Sequence, residues 1–197
     1  MDPNTFPDGN DPNNPVRIYM DGVFDGFHYG HARLFKQGKD KFKYVTLIVG
    51  VCLQDDVEKY KGLTLTTRFE RIEAIKNCRW VDEVVDAPWI TTVEFLDSIK
   101  AHYCARDNLP YPCGDIADLY APLKENGRFL ATERTEGVST TDLIMRVIRD
   151  YEFYVKRNVK KGCTAEDLNI TKEKYEEVKK QIAIEQEQEK EQEKEKK

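Results

Sequence analysis

The stretch that decides the reading is Val16-Arg-Ile-Tyr-Met-Asp-Gly-Val-Phe-Asp-Gly-Phe-His-Tyr-Gly-His31. Its first five residues, Val16 to Met20, form a short apolar-rich strand. A glycine-rich turn follows, and a helix begins near Gly30 and runs to about Lys41. Strand, glycine turn and helix start in this order place backbone N–H groups and the positive end of a helix dipole beyond the strand's carboxyl end. His28 and His31 stand three apart at that start, on one face. Gly30 between them leaves the backbone open to close approach. Such a helix start suits phosphate.

Outward from this unit the pattern repeats. Tyr44 to Val51 is apolar and β-branched without clean alternation, as in a parallel strand covered on both faces. Thr67 and Glu70 have capping-box spacing ahead of a helix whose face is Phe69, Ile72 and Ile75. Val81 to Val85 is a strand. Thr91 and Glu94 repeat the capping signal before a helix to about Lys100. Tyr103 to Ala105 is a further strand. Asp115 caps a helix carrying Ile116, Leu119 and Leu123 that stops at Gly127. Phe129 to Ala131 is the last strand. Ser139 then opens one long helix with Leu143, Ile144, Val147, Ile148, Tyr151 and Val155 inward. This order implies an α/β fold, a Rossmann-like doubly wound parallel sheet with helices on both faces. Ligands in such sheets bind beyond the strands' carboxyl ends.

The flanks read differently. Residues 1–15, rich in Asn, Asp and Pro, are expected as a disordered lead. Residues 16–170 form the folded domain. Residues 171–197, nearly all Glu, Lys and Gln, are a charged helical or disordered tail in which Glu176 and Lys180 are spaced as an ion pair. The net charge of -5 argues against a general nucleic-acid binder. Five cysteines, an odd number without a C-x-x-C pair, suggest reduced thiols in a cytoplasmic protein, and no metal-ligand cluster is visible. The N-terminus lacks the apolar stretch of a signal peptide, and the longest apolar run, Tyr44 to Cys52, is too short to span a bilayer.

A second cluster, Arg134-Thr-Glu-Gly-Val-Ser-Thr-Thr141, again lies between a strand and a helix. Ser139 serves as a plain cap. Capping leaves unexplained the planar fork of Arg134 beside Gly137 and three consecutive hydroxyl residues. A second phosphate cradle explains them.

Together the two clusters resemble the nucleotidylyltransferase superfamily and, within it, the cytidylyltransferases. The likeness continues through Leu47-Ile-Val-Gly-Val-Cys52, Lys61-Gly62, Arg68-Phe-Glu-Arg71, Cys78-Arg-Trp-Val-Asp-Glu-Val-Val85 and Asp150-Tyr-Glu-Phe-Tyr-Val-Lys-Arg-Asn158. It covers roughly residues 16–169 and is greatest for the choline-phosphate branch. The resemblance implies an in-line attack of phosphocholine on the α-phosphorus of CTP, giving CDP-choline and pyrophosphate without a covalent protein intermediate, as a step in phosphatidylcholine synthesis. It implies that His28 and His31 donate to the α- and bridging oxygens, and that Lys61 reaches in from a mobile loop. Arg134, Thr135, Ser139 and Thr140 would hold the outer phosphates, with Val138 and the backbone of Gly22, Val23 and Phe24 beside the nucleotide. Asp107 would contact the nucleotide or the choline phosphate. Asp21, Trp89, Tyr111 and Tyr120 would form the choline cage, because a quaternary ammonium is recognised by aromatic faces and a carboxylate.

The resemblance further implies Mg²⁺ carried with CTP, a homodimer formed through the Cys78–Val85 region, and membrane contact only where a longer amphipathic C-terminal segment follows. One position departs from the family pattern: Arg106 stands where a histidine is usual and cannot shuttle a proton near neutral pH. The same fold acting on phosphoethanolamine or glycerol 3-phosphate, or with an adenylyl donor, is the rival reading. A non-catalytic nucleotide-binding scaffold is a remoter one.

Overall fold

The computed structural model describes residues 1–195. Two compact units are present, residues 1–140 and residues 141 onward. In the first, five strands, β1 (Val16–Gly22), β2 (Val45–Cys52), β3 (Glu83–Ala87), β4 (Tyr103–Asp107) and β5 (Phe129–Thr132), form one parallel sheet ordered β3-β2-β1-β4-β5. The strand order reverses between β1 and β4, so the switch point that favours ligands lies at their carboxyl ends.

Both faces of the sheet are buried. Ile18, Met20, Leu47, Val49 and Val51 pack on one side with Phe35 of α1 (Tyr29–Lys39) and Ile75 of α3 (Arg68–Lys76). Tyr19, Ile48 and Cys104 pack on the other with Val57 of α2 (Gln54–Tyr60), Leu96 of α4 (Val93–Ser98) and Leu123 of α5 (Ala121–Glu125). Alternate residues of each central strand thus meet helices above and below, which is why these strands read as unbroken apolar runs. The close β1–β2 packing requires Gly50: a Cβ there would sit 2.2 Å from the Tyr19 hydroxyl oxygen.

Several expectations need correction. Residues 1–15 are not a free lead. Pro3–Thr5 form one 3-10 turn, the Phe6 ring lies 4.9 Å from His102, and the Tyr44 N–H donates to Gly9 O. Phe6 finds an aromatic neighbour that the polar composition around it conceals. Thr67 and Glu70 do form a capping box, but Phe69 is 73% exposed, because only Ile72 and Ile75 of that face meet the sheet. Thr92, not Thr91, caps α4, since Thr91 is committed elsewhere. The helix expected from Asp115 is confined to Ala121–Glu125. Residues 111–119 are a loop closed by a Cys113–Ile116 bridge, with Gly114 at positive φ. The helix Gln54–Tyr60 was not anticipated, as its polar run shows one buried position, Val57.

The expected long helix is two, α6 (Thr140–Arg149) and α7 (Tyr151–Lys160), broken at Asp150. Val147, Ile148 and Tyr151, assigned to its inner face, are exposed, since the break interrupts the face they were to continue. In the second unit, α7 pairs with α8 (Lys172–Glu195) through Val155, Val159, Val178 and Ile182. Lys174 adds an ion pair to Glu152 at 3.1 Å. The first turns of the charged segment therefore dock, and from Glu185 onward it presents only charged and amide side chains.

Candidate active site

The β1–α1 loop carries the first group. His28 is the N-cap of α1, and its ring stacks on that of His31 with centroids 3.8 Å apart and planes 19° apart. His31 Nδ1 accepts from the backbone N–H of His28 at 3.4 Å. A neutral His31 therefore carries its proton on Nε2, as a donor. Burial first, then the neighbouring His28 and Lys61, push the His31 pKa down to about 4, with Asp25 opposing. The ring is neutral at pH 7 and can donate to an anion without desolvating a charge.

Phe24 holds this geometry at a cost in backbone strain. It adopts φ 55°, a left-handed conformation rare for a bulky residue, and packs edge-on against His31 and Phe35. Gly30 has a different role from the one expected. A Cβ there would lie 2.8 Å from Val138 and 3.0 Å from the His28 ring, so the space above it is filled by protein and not left for a ligand.

This contact joins the two clusters. Val138 is buried against Gly30, and the Thr140 hydroxyl donates to the backbone carbonyl of Asp25 at 2.7 Å. The second helix start thus closes on the same β1–α1 loop. Arg134 is exposed and forms no ion pair among the described residues. Thr135 and Ser139 are half-buried on the same segment.

Lys61 caps the C-terminus of α2, with Gly62 at φ 94° completing the turn. Its side chain reaches solvent, yet local burial and the charge of Arg106 hold its pKa below the usual lysine value. Asp25, unremarked in the sequence, fixes the segment that follows. Its carboxylate accepts from the N–H of Leu65 (2.8 Å), the N–H of Thr66 (2.9 Å) and the Thr66 hydroxyl (2.6 Å). Burial alone would raise the Asp25 pKa, but these donors outweigh it and hold it low. Buried Arg71 ties the β1–α1 loop to the start of α2, donating to Val23 O at 3.0 Å and to Gln54 Oε1 at 2.7 Å.

Asp21 stands near the carboxyl end of β1, Tyr111 follows β4, Tyr120 precedes α5 and Trp89 follows β3. Asp21 is buried and accepts from the Thr91 hydroxyl (2.7 Å) and the Tyr120 hydroxyl (2.9 Å). Tyr111 and Tyr120 meet edge to face at 5.7 Å, and Trp89 packs against the same cluster while stacking on Tyr60 at 4.7 Å. Asp107 accepts from the Tyr111 hydroxyl at 2.8 Å, so it orients the ring. The Arg106 guanidinium lies among them, 2.7 Å from Asp21 Oδ1 and 4.0 Å from the Tyr111 ring centroid. Burial would lower the Arg106 pKa, but Asp21 and the tyrosines more than offset it, so the group stays charged.

A family model described as cytidylyltransferase-like matches residues 19–146, which hold both helix starts and the aromatic cluster. The chain belongs to that family. Among curated relatives, this cytidylyltransferase-like chain is 49% identical over 165 residues to the probable choline-phosphate cytidylyltransferase of Schizosaccharomyces pombe, covering 82% of this chain and 46% of the relative. It is 51% identical over 158 residues to the choline-phosphate cytidylyltransferase of Saccharomyces cerevisiae, covering 80% of this chain and 37% of the relative. It is 40% identical over 134 residues to the ethanolamine-phosphate cytidylyltransferase of Mus musculus, covering 68% of this chain and 33% of the relative. The chain therefore spans half or less of the length of these relatives.

Proposed function

We propose that this cytidylyltransferase-like chain transfers the cytidylyl group of CTP to phosphocholine. A phosphate oxygen of phosphocholine attacks the α-phosphorus of CTP in line, and the new P–O bond forms as the bond to the bridging oxygen breaks. Pyrophosphate departs with that electron pair. The observation that carries the reading is the stacked imidazole pair at the start of α1, closed over by the Val138–Thr140 helix start on the same loop. Two anion-seeking helix starts on one loop suit a triphosphate.

The neutral His31 ring and the Lys61 ammonium supply hydrogen bonds and charge where negative charge builds on the phosphoryl oxygens. Arg134, Thr135, Ser139 and Thr140 take the outer phosphates, and Gly22, Val23 and Phe24 flank the nucleotide. Asp21 with Trp89, Tyr111 and Tyr120 takes the alcohol end. Aromatic faces favour a quaternary ammonium over a primary one, which prefers hydrogen-bond acceptors. That feature, with the higher identity to the choline-phosphate relatives, supports phosphocholine over phosphoethanolamine. Among the described residues no three His, Cys, Asp or Glu side chains form a metal-ligand group, so Mg²⁺ would arrive with CTP, held by phosphate oxygens and water.

The Cys78–Val85 segment, which leads into the edge strand β3, is the surface we assign to a homodimer. We place the chain in the cytoplasm, and no helix among the described residues is long and apolar enough to cross a membrane. The test is pyrophosphate release from CTP or ATP with phosphocholine, phosphoethanolamine or glycerol 3-phosphate in turn. Release is expected only for CTP with phosphocholine at a physiological rate. Equal or faster release with another alcohol phosphate would reassign the substrate.

A further inference from the structure

The chemistry that recognises an organic cation is already satisfied within the protein. The Arg106 guanidinium carbon lies 4.0 Å from the Tyr111 ring centroid and 5.2 Å from that of Tyr120, both within cation–π range. Its Nη1 donates to Asp21 Oδ1 and to the Tyr120 hydroxyl, each at 2.7 Å. Among the described residues Asp21 forms no other ion pair, and it is buried. Three of the four groups assigned to an ammonium ligand, Asp21, Tyr111 and Tyr120, thus hold a side chain of the chain itself. Two cations cannot share one buried carboxylate and one pair of rings without strong repulsion.

We propose that Arg106 is an internal competitor for the alcohol subsite, so that a ligand's ammonium enters only when the guanidinium swings out. The proposal rests on the choline reading of that subsite. It gives Arg106 a role at a position where the sequence suggested the loss of a titratable group and left room for a phosphate contact. The phosphate of the same ligand offers the displaced guanidinium a partner, whereas choline, without a phosphate, offers none. Choline is therefore the cleaner probe. If the closed arrangement holds nine molecules in ten or more, apparent choline affinity is reduced about tenfold or more.

The experiment is calorimetric titration of the full chain with choline chloride. Arg106→Gln should bind choline about tenfold or more tightly than wild type. Because that change strips the cation from beside a buried carboxylate, Arg106→His supplies a second reading. Its imidazole should fill the cage when protonated and leave it open when neutral, so choline should bind more tightly at pH 8 than at pH 5.5, while wild type shows no such gain. The groups facing position 106 are Asp21, Tyr111, Tyr120, Lys61, Cys52 and Cys104, with Asp107 behind Tyr111, and wild type controls for all of them. Unchanged or weaker choline binding in folded Arg106→Gln, or a pH-independent affinity in Arg106→His, would overturn the proposal. Absence of turnover with phosphocholine in wild type, alongside tighter choline binding in the variants, would instead strike the reaction assigned above and leave the competitor role standing.

Discussion

His31 shows how a single side chain couples burial to acid sensitivity. Its folded pKa of about 4 lies below the ordinary 6.5, so the unfolded chain binds the proton more readily. Stability from this group is complete above about pH 6.5 and is lost as the pH falls toward 4. Unfolding by denaturant at pH 7 and pH 5 should show a smaller acid penalty in His31→Gln than in wild type; equal penalties would mean another group dominates. Gly30 makes the complementary point about space. Gly30→Ala gains helix propensity but drives a methyl into Val138 and the His28 ring. Misplacing a reacting group by about 1 Å costs roughly 100-fold, so kcat/KM should fall by about that factor with little change in melting temperature. The glycine–histidine spacing was readable in the sequence. That Gly30 makes room for Val138, over a hundred positions away, was not, because only the folded loop brings them together.

Among the elements, those with a local signature were the easiest to foresee. β1, β2 and α1 follow from apolar runs and a glycine turn, and the Thr67–Glu70 capping box stands where its spacing puts it. Elements whose identity depends on distant partners were not. Thr91 mimics a cap but serves Asp21, seventy residues earlier. The 111–119 segment has a helical apolar pattern, yet Asp118 accepts from the N–H groups of Tyr111 and Tyr120 and holds a loop instead. The Leu65–Thr66 segment after α2 depends likewise on Asp25. Asp25→Ala removes an ionised acceptor with three donors, and hydrogen bonds to charged groups contribute about 1.5–3 kcal/mol each. Limited proteolysis between residues 61 and 66 should accelerate, and kcat should fall with it; unchanged cleavage would place the loop's order elsewhere. In the second unit, Ile182→Ala should destabilise the α7–α8 pair by about 2 kcal/mol or more, read as lost helical circular dichroism on heating.

Taken as a whole, the first unit is a parallel sheet whose carboxyl edge gathers two helix starts, a lysine turn and an aromatic group around the β1–β4 switch point. That convergence follows from sheet topology, and the alternation of strands and helices in the sequence points to the same edge of the sheet. The enclosure of Arg106 did not emerge from the sequence, since it reads as a substitution until its guanidinium is seen over the two tyrosine rings. The charged segment after Ile184 carries no apolar face, so activity of this chain should not rise with added anionic vesicles. Strong lipid activation would show a membrane-binding surface elsewhere. The arrangement of the triphosphate is best tested by a crystal structure with CTP bound. One triphosphate should lie within hydrogen-bonding distance of both His31 Nε2 and the Arg134 guanidinium; a triphosphate touching one of them while the other faces a separate hollow would leave the proposed transfer without a shared phosphate site.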